Sequence, residues 1–285
     1  MDTLKIVHIS DLHFSHITLN PNQFINKRWI GNMNLIFFRK HVYQIEHLPH
    51  LPELFNALDI DHVCITGDFS SLSLDSEFAA GKQFVESISQ PVHFLPGNHD
   101  CYIKEVERTR RFYDFFPSED LKNKRVEKKH LGKGWWWVGL DCAIATPPFY
   151  ALGCFSERME EELERILAEI PKRDRVIIGN HFPLYTTNRS MHDLQRAHEL
   201  QELIKRHNQV KLYLHGHDHS YYIKDKRAEG LPLVFNSGSA AHRPDGTFFL
   251  FELHEEECLV DRFLFRKDKG GFSWVIDWQK RFTYK

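Results

Sequence analysis

The sequence predicts an α/β fold built around two sheets, and three observations carry that reading. Short apolar runs of strand length recur along the first two thirds of the chain. Helical patterns lie between them, and after residue 230 strand follows strand with only turns between. The first strands are expected at 6–9, 62–66, 92–95, 135–140, 176–178 and 210–214, all rich in β-branched or aromatic residues. Helices are expected at about 76–89, 103–116, 156–170 and 190–207. The third opens on Ser156 with an acidic first turn and stops at Pro171-Lys172-Arg173, a charge order that suits the helix dipole. Strands alternating with helices imply a largely parallel sheet covered on both faces. The later runs, 233–235, 247–253, 258–265 and 272–278, read as an antiparallel meander. No linker, repeat or low-complexity tract divides the chain, so residues 1–285 are read as one domain. The triple Trp135-Trp136-Trp137 reads as strand packing, with a stacking platform as the alternative.

Composition sets outer bounds. Of 285 residues, 42% are hydrophobic and 27% charged, which supports an ordinary core and surface. The net charge of −2 argues against a globally basic coat, so no nucleic-acid partner is expected. The opening MDTLKIVHIS has no basic region followed by an apolar run, so no signal peptide is expected. The five cysteines are scattered and form no CxxC pair. They suggest reduced thiols in a cytoplasmic protein.

The chemistry sits at the strand ends. The run 6–9 leads to Asp11-Leu12-His13, 62–66 to Gly67-Asp68, and 92–95 to Gly97-Asn98-His99-Asp100. The run 176–178 leads to Asn180-His181, and 210–214 to Gly216-His217-Asp218-His219. Ligands of open α/β sheets bind outside the carboxyl ends of the strands, so five ends deliver metal-competent atoms to one rim. Two divalent ions need a shared negative ligand, and Asp68 is the natural bridge. Asp11, His13 and His219 complete one site; Asn98, His181 and His217 complete the other. The two histidines of Gly-His-Asp-His would face one side in extended backbone. With no cysteine in the set, manganese is expected ahead of iron or zinc. Such a pair would activate a water between the ions and clamp the oxygens of an in-line phosphoryl displacement. His99 is not needed as a ligand and is assigned to the leaving group, with Asp100 holding its other ring nitrogen. Asp141, at the end of 135–140, is a candidate substrate contact. Arg243 is a candidate phosphate clamp, or a surface arginine in the turn 242–246. His215 is a candidate outer partner of the centre.

These five motifs, in this order, resemble the calcineurin-like metallophosphoesterase superfamily over residues 6 to about 240. The resemblance implies an α/β/β/α two-sheet sandwich and a dimetal phosphohydrolase acting on a phosphodiester or pyrophosphate bond. Ser71 stands where many members have Asn or Asp, and Phe182 where some have a second histidine. Neither removes a ligand. Some members have lost ligands and serve as scaffolds; here every position is filled.

The connection from Asp11 to residue 62 is longer than a βα crossover needs. In this insertion, about 20–50, Trp29, Ile30, Met33, Ile36 and Phe37 share one helical face, and Lys27-Arg28 and Arg39-Lys40 bracket it. Such a segment suits a membrane surface or an acyl chain, with Trp29 and Phe37 as contacts, or else caps the core. It resembles one in chlamydial-type UDP-2,3-diacylglucosamine pyrophosphatases. That resemblance implies a lipid pyrophosphate substrate of lipid A synthesis and a peripheral position on the inner face of the membrane. A cyclic-nucleotide phosphodiesterase is the alternative.

Overall fold

The computed structural model describes residues 3–16, 26–37, 43, 45–186, 190–268 and 271–284. Its first sheet holds β1 (Leu4–Ile9), β2 (His62–Thr66), β3 (Val92–Leu95), β12 (Thr247–Leu253), β13 (Glu257–Asp268) and β14 (Gly271–Thr283), in the order β14-β13-β12-β1-β2-β3. The second holds β4 (Val126–Gly132), β5 (Trp135–Leu140), β7 (Arg175–Gly179), β9 (Val210–His215), β10 (Tyr221–Asp225) and β11 (Leu233–Ser237), in the order β10-β11-β9-β7-β5-β4. The short β6 (Gly153–Cys154) and β8 (Leu194–Gln195) pair with each other. Both large sheets are mixed, not largely parallel. β1-β2-β3 and β5-β7-β9-β11 run parallel, and antiparallel strands flank them.

Side-chain alternation explains why the strands read as continuous apolar runs. Ile177, Leu212, Leu214 and Phe235 join Phe249 and Phe251 in the core between the sheets. Their neighbours Val176, Ile178, Tyr213 and Val234 pack instead with Met159, Leu163 and Leu200 of α7 (Glu157–Glu169) and α8 (Ala197–Lys205). With both faces covered, apolar residues fill both sides of the middle of these strands. The tryptophan triple follows the same alternation. Trp135 and Trp137 are buried between the sheets, while the Trp136 indole donates to Asp174 Oδ2 at 2.9 Å on the other side.

Six further helices complete the layers: α1 (Arg28–Phe37), α2 (Leu51–Ala57), α3 (Asp75–Glu86), α4 (Lys104–Thr109), α5 (Phe112–Phe115) and α6 (Glu119–Lys124). As expected, Ser156 caps α7, its hydroxyl accepting from the Met159 amide at 3.3 Å. Three expectations fail locally. The helix read at 103–116 is broken at Arg110 (φ 54°), whose guanidinium turns inward to the Leu121 carbonyl and Asp141. The helix read at 190–207 is a short 3-10 turn, then β8, then α8, because Leu194 and Gln195 pair with β6. The strand read at 233–235 lies parallel to β9 in the second sheet, so the meander consists of β12, β13 and β14 alone. Charged β4 and exposed β10 carry no apolar alternation and were not foreseen. Among the described residues, no helix is long and apolar enough to cross a membrane.

Phe248 on β12 is fully buried and stacks on Phe263 with ring centroids 4.7 Å apart. Phe248→Ala should lower stability by about 3–5 kcal/mol, read by urea unfolding. A loss below about 1 kcal/mol would mean the sheet face relaxes around the gap.

Candidate metal centre

The carboxyl ends of β1, β2 and β3 meet those of β7 and β9, and seven side chains converge there. Backbone bonds lock the loops together: Asp11 donates to the Gly67 carbonyl at 3.0 Å, His13 to Asp68 at 2.9 Å, and Gly216 to His181 at 3.2 Å. Five of the seven residues adopt left-handed backbone: Asp11, His13, Asp68, His217 and His219, with φ from 47° to 76°. Non-glycine residues in that region carry strain, which concentrates where a site over-determines the chain. The same fact overturns the extended-backbone reading of His217 and His219, which separate into different groups.

The first group is Asp11, His13, Asp68 and His219, whose ligand atoms all lie within 4.8 Å of one another. His219 Nε2 is 3.0 Å from His13 Nε2 and 3.1 Å from Asp11 Oδ1. The second group is His181, Asn98 and His217. His181 Nε2 is 3.1 Å from Asn98 Oδ1 and 3.2 Å from His217 Nδ1. Asp68 Oδ2 stands between the groups, 3.8 Å from His13 Nε2 and 3.4 Å from His181 Nε2. Its other oxygen accepts the His99 amide at 2.8 Å. Gly97 allows this placement, since a Cβ there would lie 2.1 Å from Asp68 Oδ1.

The donor set fits cations. His181 Nδ1 donates to the Thr66 carbonyl at 2.7 Å, and His217 Nε2 to the His192 carbonyl at 2.9 Å. With those donors fixed, a neutral ring at either position would aim a lone pair inward at another acceptor, an arrangement that repels unless a positive charge, a proton or a cation, lies between. Asp11 is fully buried, and its Oδ1 faces only the His219 Nε2 at 3.1 Å and the His13 Nε2 at 3.7 Å among the described ion-pair partners. Electrostatics agree. Burial alone would raise the Asp68 carboxyl, yet the facing histidines, His181 first, hold it well below its ordinary value. Burial opposes charge on His181 too, but Asp68 and Asp11 raise it to about 9, so a proton supplies the missing charge. His13 and His217 are pushed well below the ordinary value by burial.

His99 reaches the cleft, but its partner is not Asp100. Its Nδ1 donates to the Ser71 carbonyl at 2.7 Å. Asp100 instead accepts from the amides of Phe69, Ser70 and Gly97 at 2.8–3.0 Å, tying the loop after β2 to the loop after β3. Asp141 is also turned away from the cleft: fully buried, it accepts from Tyr113 Oη at 2.7 Å and from Arg110. Arg243 lies 4.0 Å from Glu46 and does not line the cleft. Trp29 is exposed and does not line it either, although its neighbours Lys27 and Ile30 do. The side chain of Phe37 lies outside the described residues. His215 is buried beside the centre and donates to the Gly216 carbonyl at 3.0 Å.

Several cleft residues, Phe149 and Tyr150 among them, had no site role in the sequence reading. Tyr43, from the insertion, places its hydroxyl 3.0 Å from His219 Nδ1 and its ring 4.4 Å from His13. Lys27, Tyr102 and Asp218 line the cleft, whose volume is about 450 Å³. Only the position of Asp218 inside the Gly-His-Asp-His motif offered a signal.

Comparison with known proteins follows from this geometry. A sequence profile described as calcineurin-like phosphoesterase matches residues 4–221. The 3′,5′-cyclic adenosine monophosphate phosphodiesterase CpdA of Haemophilus influenzae is 28% identical over 163 residues, 56% of this chain and 55% of that protein. The chain thus spans about half the length of that relative. The glycerophosphodiester phosphodiesterase GpdQ of Enterobacter lignolyticus is 22% identical over 277 residues, 95% of this chain and 89% of that one. A dimetal phosphatase structure from Danio rerio superposes with a TM-score of 0.71 at 14% identity, covering 100% of both chains, which speaks for the fold.

The proton on His181 gives a pH test. A histidine raised on folding contributes stability that is complete below its ordinary 6.5 and lost as pH rises through about 9. Metal-free protein in EDTA should therefore lose melting temperature between pH 7 and 10, and added manganese should cancel the loss. A flat profile in EDTA would contradict the assignment.

Proposed function

The chain belongs to the calcineurin-like phosphoesterase family, and from that premise we propose that it is a metal-dependent phosphodiesterase. The observation that carries this reading is Asp68, whose carboxylate stands between the buried imidazoles of His13 and His181. Two divalent ions held by Asp11, His13, Asp68, Asn98, His181, His217 and His219 would neutralise phosphoryl oxygens and acidify an attacking water. The protein's own part is positional. Backbone carbonyls of Thr66 and His192 fix the tautomers of His181 and His217. The Ser71 carbonyl accepts from His99 Nδ1, so Nε2 is the atom left for the leaving oxygen, and it gives a proton when the ring is protonated on both nitrogens.

The substrate reading is a cyclic nucleotide or related phosphodiester. It rests on CpdA and GpdQ, whose names carry 3′,5′-cyclic adenosine monophosphate and glycerophosphodiester substrates. The lipid pyrophosphate reading gains no support from these relatives. What favours it is α1, where Trp29 and Met33 are both exposed next to cleft-lining Ile30.

Two experiments separate these possibilities. Asp68→Ala should abolish both metal loading and hydrolysis. His99→Ala should retain metal, measured by atomic emission, while losing about 10²–10⁴-fold in turnover; loss of metal instead would make His99 a ligand. Side-by-side assays of cyclic AMP and a UDP-linked diacyl sugar, with manganese and with or without detergent, should favour cyclic AMP. Hydrolysis of the diacyl sugar alone would reverse the substrate reading. Absence of metal and of any phosphodiester hydrolysis would leave a scaffold.

A further inference from the structure

The floor of the cleft is the candidate metal centre, but its mouth is built from other material. Lys27, just before α1, lines the cleft together with Phe149, Tyr150 and Ala151 of the segment 146–151. They are tied together, for the Lys27 ammonium donates to the Thr146 carbonyl at 3.2 Å and lies 3.4 Å from its hydroxyl. The same ammonium sits 4.5 Å from the centroid of the Tyr102 ring. Tyr102 in turn stacks on His99, with centroids 5.6 Å apart and planes 20° apart. A continuous wall thus runs from the proposed leaving-group residue to Lys27.

Two features of this wall ask for a ligand. Lys27 is partly buried, and among the described residues no carboxylate pairs with it. Burial lowers it only to about 8, so it stays largely protonated at neutral pH. A half-desolvated cation with spare donor capacity is stabilised by an acceptor brought from outside. The second feature is Phe149, which is 79% exposed and held in left-handed backbone at φ 73°. Tyr150 beside it is 42% exposed, and both line the cleft. Strained backbone that presents an aromatic face to a cleft points to a bound partner.

We propose that Lys27, Phe149 and Tyr150 form a nucleoside subsite on the leaving-group side of the cleft. The aromatic pair takes the flat face of the base, as aromatic side chains do for bases generally. Lys27 donates to an acceptor on the base or ribose. An acyl chain in the same place would offer the ammonium no acceptor beyond Thr146, which disfavours it. The inference shares the cleft with the phosphodiesterase reading and narrows its substrate to nucleotides.

The test compares AMP, UMP and ribose 5-phosphate binding to the manganese-loaded full chain by calorimetry. AMP and ribose 5-phosphate carry the same charged group and differ by the base. Wild type should bind AMP or UMP at least about ten-fold tighter than ribose 5-phosphate, the scale of one base–aromatic stack. Phe149→Ala and Lys27→Met should each erase most of that difference while retaining bound manganese, which also reports folding. Equal binding of nucleotides and ribose 5-phosphate by wild type would overturn the subsite, as would a preference that survives both substitutions. Nucleotide preference without hydrolysis of any phosphodiester would sink the phosphodiesterase reading and leave the subsite standing. Hydrolysis of cyclic AMP with no preference for the base would do the reverse.

Discussion

One buried carboxylate organises this molecule. Asp68 carries a negative charge at a place almost closed to solvent, and the groups around it answer that charge. Its Oδ1 is held by the His99 amide, and its Oδ2 faces His13 on one side and His181 on the other. Two glycines make the position reachable: Gly67, at φ 99°, turns the chain after β2, and Gly97 leaves room for the carboxylate itself. Desolvating a carboxylate without compensation costs several kcal/mol. The convergence of five strand ends on one point is therefore an electrostatic requirement as much as a topological one. The left-handed backbone at Asp11, His13, Asp68, His217 and His219 fits the same logic, since each loop bends sharply to bring its side chain inward.

Much of this was legible in the sequence because the strands have two buried faces. Their apolar runs end abruptly, and the polar residues after each run mark the rim. Strands 62–66, 92–95, 135–140 and 247–253 match the structure residue for residue. What was not legible depends on contacts across long sequence separations. Nothing near Asp141 announces that Arg110 and Tyr113 will reach it, and that contact both breaks a helix and withdraws Asp141 from the cleft. Asp100 follows His99 in sequence, yet the loop geometry turns it toward three amides and hands His99 to the Ser71 carbonyl. Backbone acceptors leave no signature in a sequence, so the tautomers of His99, His181 and His217 could not be assigned from it. Tyr43 was missed for a similar reason, because neither its spacing nor its neighbours tie it to His219.

The cleft has two origins. Its floor comes from strand ends braced by sheet hydrogen bonds, a rigid setting suited to fixing ligand atoms. Its walls come from the insertion and from turns such as 146–151, the kind of segment on which specificity is usually written. Tyr43 crosses between the two, touching His13 and His219 from the insertion side. Wall and floor also meet where Tyr102 stacks on His99 and where the His192 carbonyl holds the His217 ring.

The pairing of β1 with β12 has a further consequence, for the order in which the molecule is made. Leu4 lies opposite Leu253 and His8 opposite Phe249, so the strand leading to Asp11 stays unpaired on that edge until β12, far along the chain, has emerged. At about 5–20 residues per second of synthesis, that wait is on the order of ten seconds or more. Contacts of such high sequence separation also slow folding itself. The Ser239 hydroxyl, which bonds the Asp11 carbonyl at 2.7 Å, arrives in the same late interval. The candidate metal pocket therefore closes only once β12 has been made, and until then β1 keeps one edge open.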